Sequence, residues 1–240
     1  MHLHLLLLLA ATPLRLEIDS GRIDLPGRHL ELRLNHPAAK VEVTLVGAES
    51  ETPLLEHAQD FQGRRPGETL TVSWPDPKGA VARIDIRAYD SEGHWVSQSY
   101  APWSLSIPHQ EVGFATDSAD ISAEEAPKLQ GSLDQINQAL ARYRHIGPIK
   151  LYVAGHTDTV GTVDYNRQLS RRRARSIAVW FRQHGLRAPI FYEGFGEEAL
   201  KVATPDQTDE ARNRRADYIL GISPPALRLP GGPPSWRSVE

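Results

Sequence analysis

The sequence predicts an all-β sandwich followed by a two-layer α+β domain, and three observations predict it. Apolar residues recur with period two from Leu14 to Ile107. Between Leu129 and Phe181 they recur at three- and four-residue spacing, the period of helices lying on a sheet. A break near Pro108 to Gln110 separates the two regimes, and 240 residues are enough for two ordinary domains.

In the first region, Leu14, Leu16 and Ile18 alternate with Arg15, Glu17 and Asp19. Leu30, Leu32 and Leu34 alternate with Glu31 and Arg33, and Val41, Val43 and Leu45 with Glu42 and Thr44. Leu70, Val72 and Trp74 follow, then Ile84, Ile86 and Ala88, and Trp103, Leu105 and Ile107 close the series. Such runs put one face on a core and one in water, as in an antiparallel sheet, and Gly/Pro/Asp turns between short strands suggest a sandwich. Glu51 to Glu68, polar and carrying Gly63, Pro66 and Gly67, reads as a loop across one end. His29, His36, His57 and His94 fall at turns and strand ends and read as exposed polar residues, with no catalytic constellation among them. The segment Ile84 to Gln98, IDIRAYDSEGHWVSQ, resembles the last hairpin of bacterial immunoglobulin-like or fibronectin-type-III-like domains. The sandwich is therefore expected over residues 12–108.

In the second region Glu111 to Phe114 reads as a short strand. Ser122 followed by Glu125 has the spacing of a capping box, with Pro127 placing the first helical turn a residue or two later. Leu129, Leu133, Ile136, Leu140 and Tyr143 give an amphipathic helix that Gly147-Pro148 ends, and Ile149, Leu151 and Val153 form a strand. A second helix is expected over about Tyr165 to His184, with Leu169, Ile177 and Phe181 inward and Gly185 as its stop. Ile190 to Tyr192 is a third strand, Gly194 to Glu197 a loop, and Tyr218 to Leu220 the last strand. The order is β-α-β-α-β-β over residues 111–220. Residues 221–240, rich in Pro and Gly, read as a tail with no core to join.

Composition removes several classes of function. Charged residues make up 24% and the net charge is −3, which gives no reason to expect nucleic acid, whose binding needs a strongly basic face. With no cysteine, the chain has no disulfide, thiolate metal site, cysteine nucleophile or lipid-modified N-terminal cysteine. Residues 1–11, MHLHLLLLLAA, have the length of a signal-peptide apolar region and are too short to span a bilayer, although His2 and His4 stand where Lys or Arg is usual. No later stretch is apolar enough for a membrane-spanning helix. The part before the second domain is too short for a closed outer-membrane barrel of at least about 8 strands.

Chemistry concentrates in AGHTDTVGTVDYNRQLSRRRA, Ala154 to Ala174. Asp158 follows a strand end, and Asn166, Ser170 and Arg173 share one face of the next helix. A carboxylate and a guanidinium flanked by Thr157 and Asn166 suit a zwitterion, the carboxylate taking an ammonium and the guanidinium fork taking a carboxylate. On physics alone Asp158 and Arg173 could equally form an internal ion pair holding the loop on the helix.

Gly-His-Thr-Asp, a short Gly-containing loop, Tyr-Asn, Leu-Ser and Arg-Ala at these spacings resemble the core of the OmpA-like peptidoglycan-binding domain, the likeness running from about Glu111 to Leu220. The resemblance implies non-covalent binding of peptidoglycan through the diaminopimelate of its stem peptides. Asp158 would receive the ammonium and Arg173 the carboxylate, with Thr157, Asn166 and Leu169 shaping the pocket. Gly155, His156, Ser170, Asn213 and Arg214 would support it. It also implies an envelope protein of a Gram-negative bacterium, in the periplasm or associated with the outer membrane, with the sandwich as spacer or docking module for another envelope protein. No enzyme activity, metal or cofactor is expected. Two positions depart from the family pattern: Glu210 stands where an Arg is usual, three residues before Asn213-Arg214-Arg215, and Ala216 where Val is common. Glu210 favours the rival reading, an interaction module that no longer binds the wall. A hydrolase using His156 and Asp158 as metal ligands, or as acid and base, is the other rival. Arg171, Arg172 and Arg175 read as a solvated helix face that would favour anionic glycan or lipid.

Overall fold

The computed structural model describes residues 12–225 and 234–239, so the leader expected over 1–11 lies outside the described residues. The chain divides into two compact units, Met1–Tyr100 and Ala101–Glu240.

The first unit contains β1 (Leu16–Asp24), β2 (His29–Leu34), β3 (Ala38–Gly47), β4 (Pro53–Arg64), β5 (Leu70–Ser73), β6 (Val81–Asp90) and β7 (Trp95–Tyr100). All pairings are antiparallel, in two sheets ordered β1-β2-β5 and β4-β3-β6-β7. The apolar members of the period-two runs meet in one core, with Leu30, Leu32 and Leu34 from one sheet against Val41, Val43, Ile84 and Ile86 from the other.

Two expectations fail in this unit. Residues 51–68 are not mainly a loop, because most of them form the twelve-residue strand β4. As an edge strand paired only with β3, it sends just Leu55 and Phe61 toward the core, which hides the alternation that marks inner strands. Nor are all four histidines independent surface groups. Asp90 ends β6 with a side chain only 1% exposed, and both His36 Nδ1 (2.9 Å) and His94 Nδ1 (3.1 Å) reach its Oδ2. Its Oδ1 accepts the Glu92 and His94 amides, each at 2.9 Å.

The second unit contains β8 (Ser104–Ser106), α1 (Ala126–Arg142), β9 (Lys150–His156), α2 (Val163–Gln183), β10 (Ile190–Gly196), β11 (Ala216–Gly221) and β12 (Arg237–Val239). They make a five-stranded sheet ordered β12-β10-β9-β11-β8, in which only β9 and β10, joined through α2, run parallel. Leu129, Leu133 and Ile136 of α1 and Ile177 and Phe181 of α2 pack with Leu151, Val153, Ile190, Tyr218 and Leu220 into one core. No helix among the described residues is long and apolar enough to cross a membrane.

Here too the structure corrects the sequence reading. Trp103, Leu105 and Ile107 belong to this unit's core, and Ser104–Ser106 pairs with β11, so the boundary precedes Pro108. Residues 111–114 are not a strand, although Val112 and Phe114 pack on the core from an irregular segment. The capping box does not form. Glu125 is itself the N-cap of α1, and its carboxylate accepts from Gly113 N (2.7 Å) and Lys128 Nζ (2.8 Å). Gly194–Gly196, expected in a loop, extend β10. The end of the chain is not a free tail. β12 pairs with β10, and Trp236 packs edge-on against Tyr152 at 5.0 Å and Phe195 at 5.7 Å.

The Asp90 cluster carries a pH dependence. Burial alone would raise the Asp90 pKa, but the hydrogen bonds from His36 and His94 outweigh it and hold the carboxyl at about 2, below its usual 3.8. The hydrogen bond to Asp90 raises the His36 pKa above 6.5. Asp90 therefore stabilises the unit above pH 3.8 and loses that contribution as pH falls through about 2. The His36 contribution is complete below pH 6.5 and fades as pH rises through the elevated value. Asp90→Ala is expected to cost roughly 1–3 kcal/mol near mid-acid pH and less outside that window. Urea unfolding across pH checks this, and a loss independent of pH would contradict it.

Candidate ligand-binding cleft

The site is built where α2 crosses the C-terminal ends of β9 and β10. Glycine makes the crossing possible. A Cβ on Gly155 would lie 2.3 Å from the Ser170 carbonyl oxygen, and one on Gly194 would lie 2.2 Å from Arg171 N. The helix backbone thus rests directly on the strands. Ser170 secures it by accepting from Gly196 N at 2.9 Å and donating to Arg167 O at 3.1 Å.

Beyond His156 the chain stays buried through Thr157, Asp158 and Thr159, with Thr157 N bonded to Gly196 O at 2.9 Å. It then turns at Gly161, whose φ of +107° suits glycine, and Thr162 caps α2 by accepting from Tyr165 N at 3.3 Å. Gln207 clamps the turn from outside through both polar groups of the Gly161 backbone. Asn166, in the first turns of α2, donates to Glu197 Oε2 (2.6 Å) and to the Asp158 carbonyl (3.3 Å), fixing the loop to the helix.

These elements enclose a cleft of about 710 Å³. Gly155, His156, Thr157, Asp158, Asn166, Leu169, Arg173 and Arg214 all line it, whereas Ser170 and Asn213 lie behind its wall. Asn213 is fully buried and exchanges hydrogen bonds with the Val202 backbone at 2.8 and 2.9 Å, bracing the segment that leads to the cleft.

Asp158 and Arg173 are not paired with each other. Asp158 Oδ2 takes Arg214 Nη1, and its Oδ1 accepts from Val160 N at 3.3 Å. Arg214, expected as a supporting residue, is a charged member of the cleft, and the same Nη1 also meets Asp209. Both hydrogen bonds of Arg173 go to main-chain carbonyls, Ser118 O at 2.9 Å and Ala115 O at 3.2 Å. Its guanidinium lies 5.1 Å from the centre of the Phe114 ring. Burial lowers the Arg173 pKa, Tyr165 opposes that, and the nearby Arg214 adds to it. Arg173 is thus a partly desolvated cation held by neutral acceptors.

The remaining expectations divide. His156 is buried, stacks on Phe195 at 5.4 Å and places Nε2 3.2 Å from Asp217 Oδ2. Burial lowers its pKa, and Asp217 opposes the shift. It faces Asp217 while Asp158 faces Arg214, and no group of three or more His, Cys, Asp or Glu among the described residues could hold a metal ion. Glu210 turns to Arg212, whose side chain grips it at 2.9 and 2.7 Å and holds its carboxyl at about 2. Arg171 is not on a free helix face, because it pairs with buried Glu193 at 2.6 Å.

The sequence reading missed two parts of the cleft. One is the Phe114–Asp117 segment, where Tyr165 Oη bonds to Asp117. The other is the Asp209–Arg214–Asp158 chain, which no local spacing announces because Arg214 lies 56 residues from Asp158.

Comparison with known proteins places residues 113–215 in a match to the model of the OmpA family. A peptidoglycan-associated lipoprotein of Haemophilus influenzae is 31% identical over 142 residues, which is 57% of this chain and 88% of that protein. One of Legionella pneumophila is 28% identical over 119 residues, 49% of this chain and 64% of that protein, so the chain spans less than two thirds of this relative. Among solved structures, the peptidoglycan-associated lipoprotein of Burkholderia pseudomallei is 26% identical, with 46% of this chain and 88% of that one covered and a TM-score of 0.36.

Gly155→Ala is expected to destabilise the second unit by about 1–3 kcal/mol, because a methyl group pressed against the Ser170 carbonyl must push α2 off the strand. Gly131→Ala in α1, where a Cβ meets nothing within 4 Å, should instead stabilise it by about 0.5–1 kcal/mol. Urea unfolding of both variants checks the contrast, and equal effects would contradict it.

Proposed function

The chain belongs to the OmpA family, and from that premise we propose that it binds peptidoglycan non-covalently and anchors an envelope protein or assembly to the cell wall. Its place is the periplasm or cell envelope of a Gram-negative bacterium. The observation that carries the finer reading is Arg173, a partly desolvated guanidinium with only carbonyl partners, in one cleft with the Asp158 carboxylate. The ligand this charge pattern fits is the free amino-acid end of diaminopimelate in a stem peptide. Its carboxylate goes to the Arg173 fork and its ammonium to Asp158, with Thr157, Asn166 and Leu169 forming the walls. A lysine-type stem lacks the carboxylate that Arg173 would hold.

Each charge-assisted bond contributes roughly 1.5–3 kcal/mol, and a few of them give modest affinity once the costs of association are subtracted. Many equivalent sites along a polymer make weak sites sufficient for retention. Binding a zwitterion needs no nucleophile or tuned acid, so this reading assigns no catalysis. Glu210, the feature that favoured an interaction module without wall binding, is engaged by Arg212 and does not line the cleft.

The first unit fits an immunoglobulin-like sandwich that acts as spacer or docking module for another envelope protein. The strand order β1-β2-β5 against β4-β3-β6-β7 supports this, with the fourth strand joining the third rather than the first sheet.

The full chain is expected to sediment with insoluble diaminopimelate-type peptidoglycan, while Asp158→Ala and Arg173→Lys remain in the supernatant with their thermal unfolding intact. The three donors of an ammonium diverge from one nitrogen and cannot offer a carboxylate two parallel N–H bonds while reaching both carbonyls, so lysine should not replace Arg173. Wild-type protein left in the supernatant would contradict the reading.

A further inference from the structure

Asp158 alone does not make an acidic subsite. Its Oδ2 is paired with Arg214, and one carboxylate against one guanidinium sums to zero charge. An arriving ammonium would find a neutral pair with its best acceptor in use. The second carboxylate on Arg214 Nη1 belongs to Asp209, whose side chain is 77% exposed at the mouth of the cleft. Three charges in contact, Asp158, Arg214 and Asp209, leave a net of minus one. Of the other carboxylates nearby, Glu210 is held by Arg212, while Asp117 is bonded to Tyr165 Oη and acts on Arg173 at the opposite pole. The Arg214 pKa is raised first by Asp209 and then by Asp158, consistent with a guanidinium shared between them.

We propose that Asp209 supplies the negative charge of the ammonium subsite: it neutralises Arg214, so that Asp158 is available to a cationic group of the ligand. The cleft then has two poles, the acidic triad and the Arg173 cation, and its specificity is for a zwitterion rather than for an anion. This rests on the stem-peptide reading given above. Asp209 is a positioning residue here, acting on the ligand through Arg214 and through the net charge, and its exposure makes the effect sensitive to salt.

The test is calorimetric titration of the full chain with a synthetic stem tripeptide ending in meso-diaminopimelate, and with the same peptide acetylated on the free amine. Asp209→Asn is expected to weaken the free-amine peptide about tenfold, the scale of one charge-assisted contact. It should not weaken the acetylated peptide, and the tenfold loss should shrink between about 0.02 and 0.5 M salt. In an Arg214→Gln background Asp209→Asn should have little further effect, because the cation it neutralises is gone. Equal losses for both peptides, an equal loss in the Arg214→Gln background, or no loss at all would overturn the proposal. Asp209 is exposed, so the two-peptide comparison holds even if Arg214→Gln does not fold. Wild-type protein that binds neither peptide would sink the stem-peptide reading itself, a result distinct from wild-type binding that Asp209→Asn leaves untouched.

Discussion

The direct seating of the α2 backbone on the ends of β9 and β10 is the constraint on which the second unit's function depends. Gly155 and Gly194 leave no side chain between helix and sheet, and the Ser170 hydroxyl ties the two together by accepting from Gly196 N. This contact sets the height and rotation of α2. It therefore decides that Asn166, Leu169 and Arg173 face the cleft. Moving the helix outward by one methyl group would separate Arg173 from the carbonyls of Ala115 and Ser118. The same shift would separate Asn166 from the Asp158 backbone. Packing at this crossing and geometry in the cleft are one property.

Within that frame the charges are arranged so that the cleft is not self-sufficient. Arg173 is partly desolvated and hydrogen-bonded only to carbonyls, which stabilise a cation less than a carboxylate does. Asp158 is compensated by Arg214, and Arg214 is in turn compensated by Asp209. The pattern leaves one positive and one negative pole in a cleft of about 710 Å³, and in the proposed reading a zwitterionic ligand would complete both. Thermodynamically this is an incomplete ion network. A partly desolvated charge without a counter-charge is costly, and in the proposed reading a ligand carboxylate would relieve that cost.

Much of this was legible in the sequence where local pattern determines structure. The inner strands, both helices and the strand end carrying Asp158 follow from periodicity. Asp158 and Arg173 entering one cleft follows from a short strand–loop–helix connection. The failures have physical reasons. β4 is an edge strand whose half-buried face carries His57 and Gln59 between Leu55 and Phe61, so its apolar alternation is hidden. Val112 and Phe114 reach the core from irregular backbone, and apolar content alone could not distinguish that from a strand. The Ser122–Glu125 spacing promised a cap, but the Glu125 carboxylate found Gly113 N and Lys128 instead. Trp236 anchors the end of the chain through tertiary contacts that a Pro/Gly-rich composition conceals. Arg214 as the partner of Asp158 stayed hidden for the same reason, because ion pairs between distant segments depend on the fold and not on spacing.

The central claim is that Arg173 and the acidic pole recognise the two charges at the free end of a stem peptide. Its most direct test is competitive binding of two stem tripeptides that differ only at the third residue, meso-diaminopimelate or L-lysine, to the intact chain. The diaminopimelate peptide should bind, and the lysine peptide, which retains the ammonium but lacks the second carboxylate, should fail to compete. Equal binding of the two would show that Arg173 reads no carboxylate there and would contradict the account.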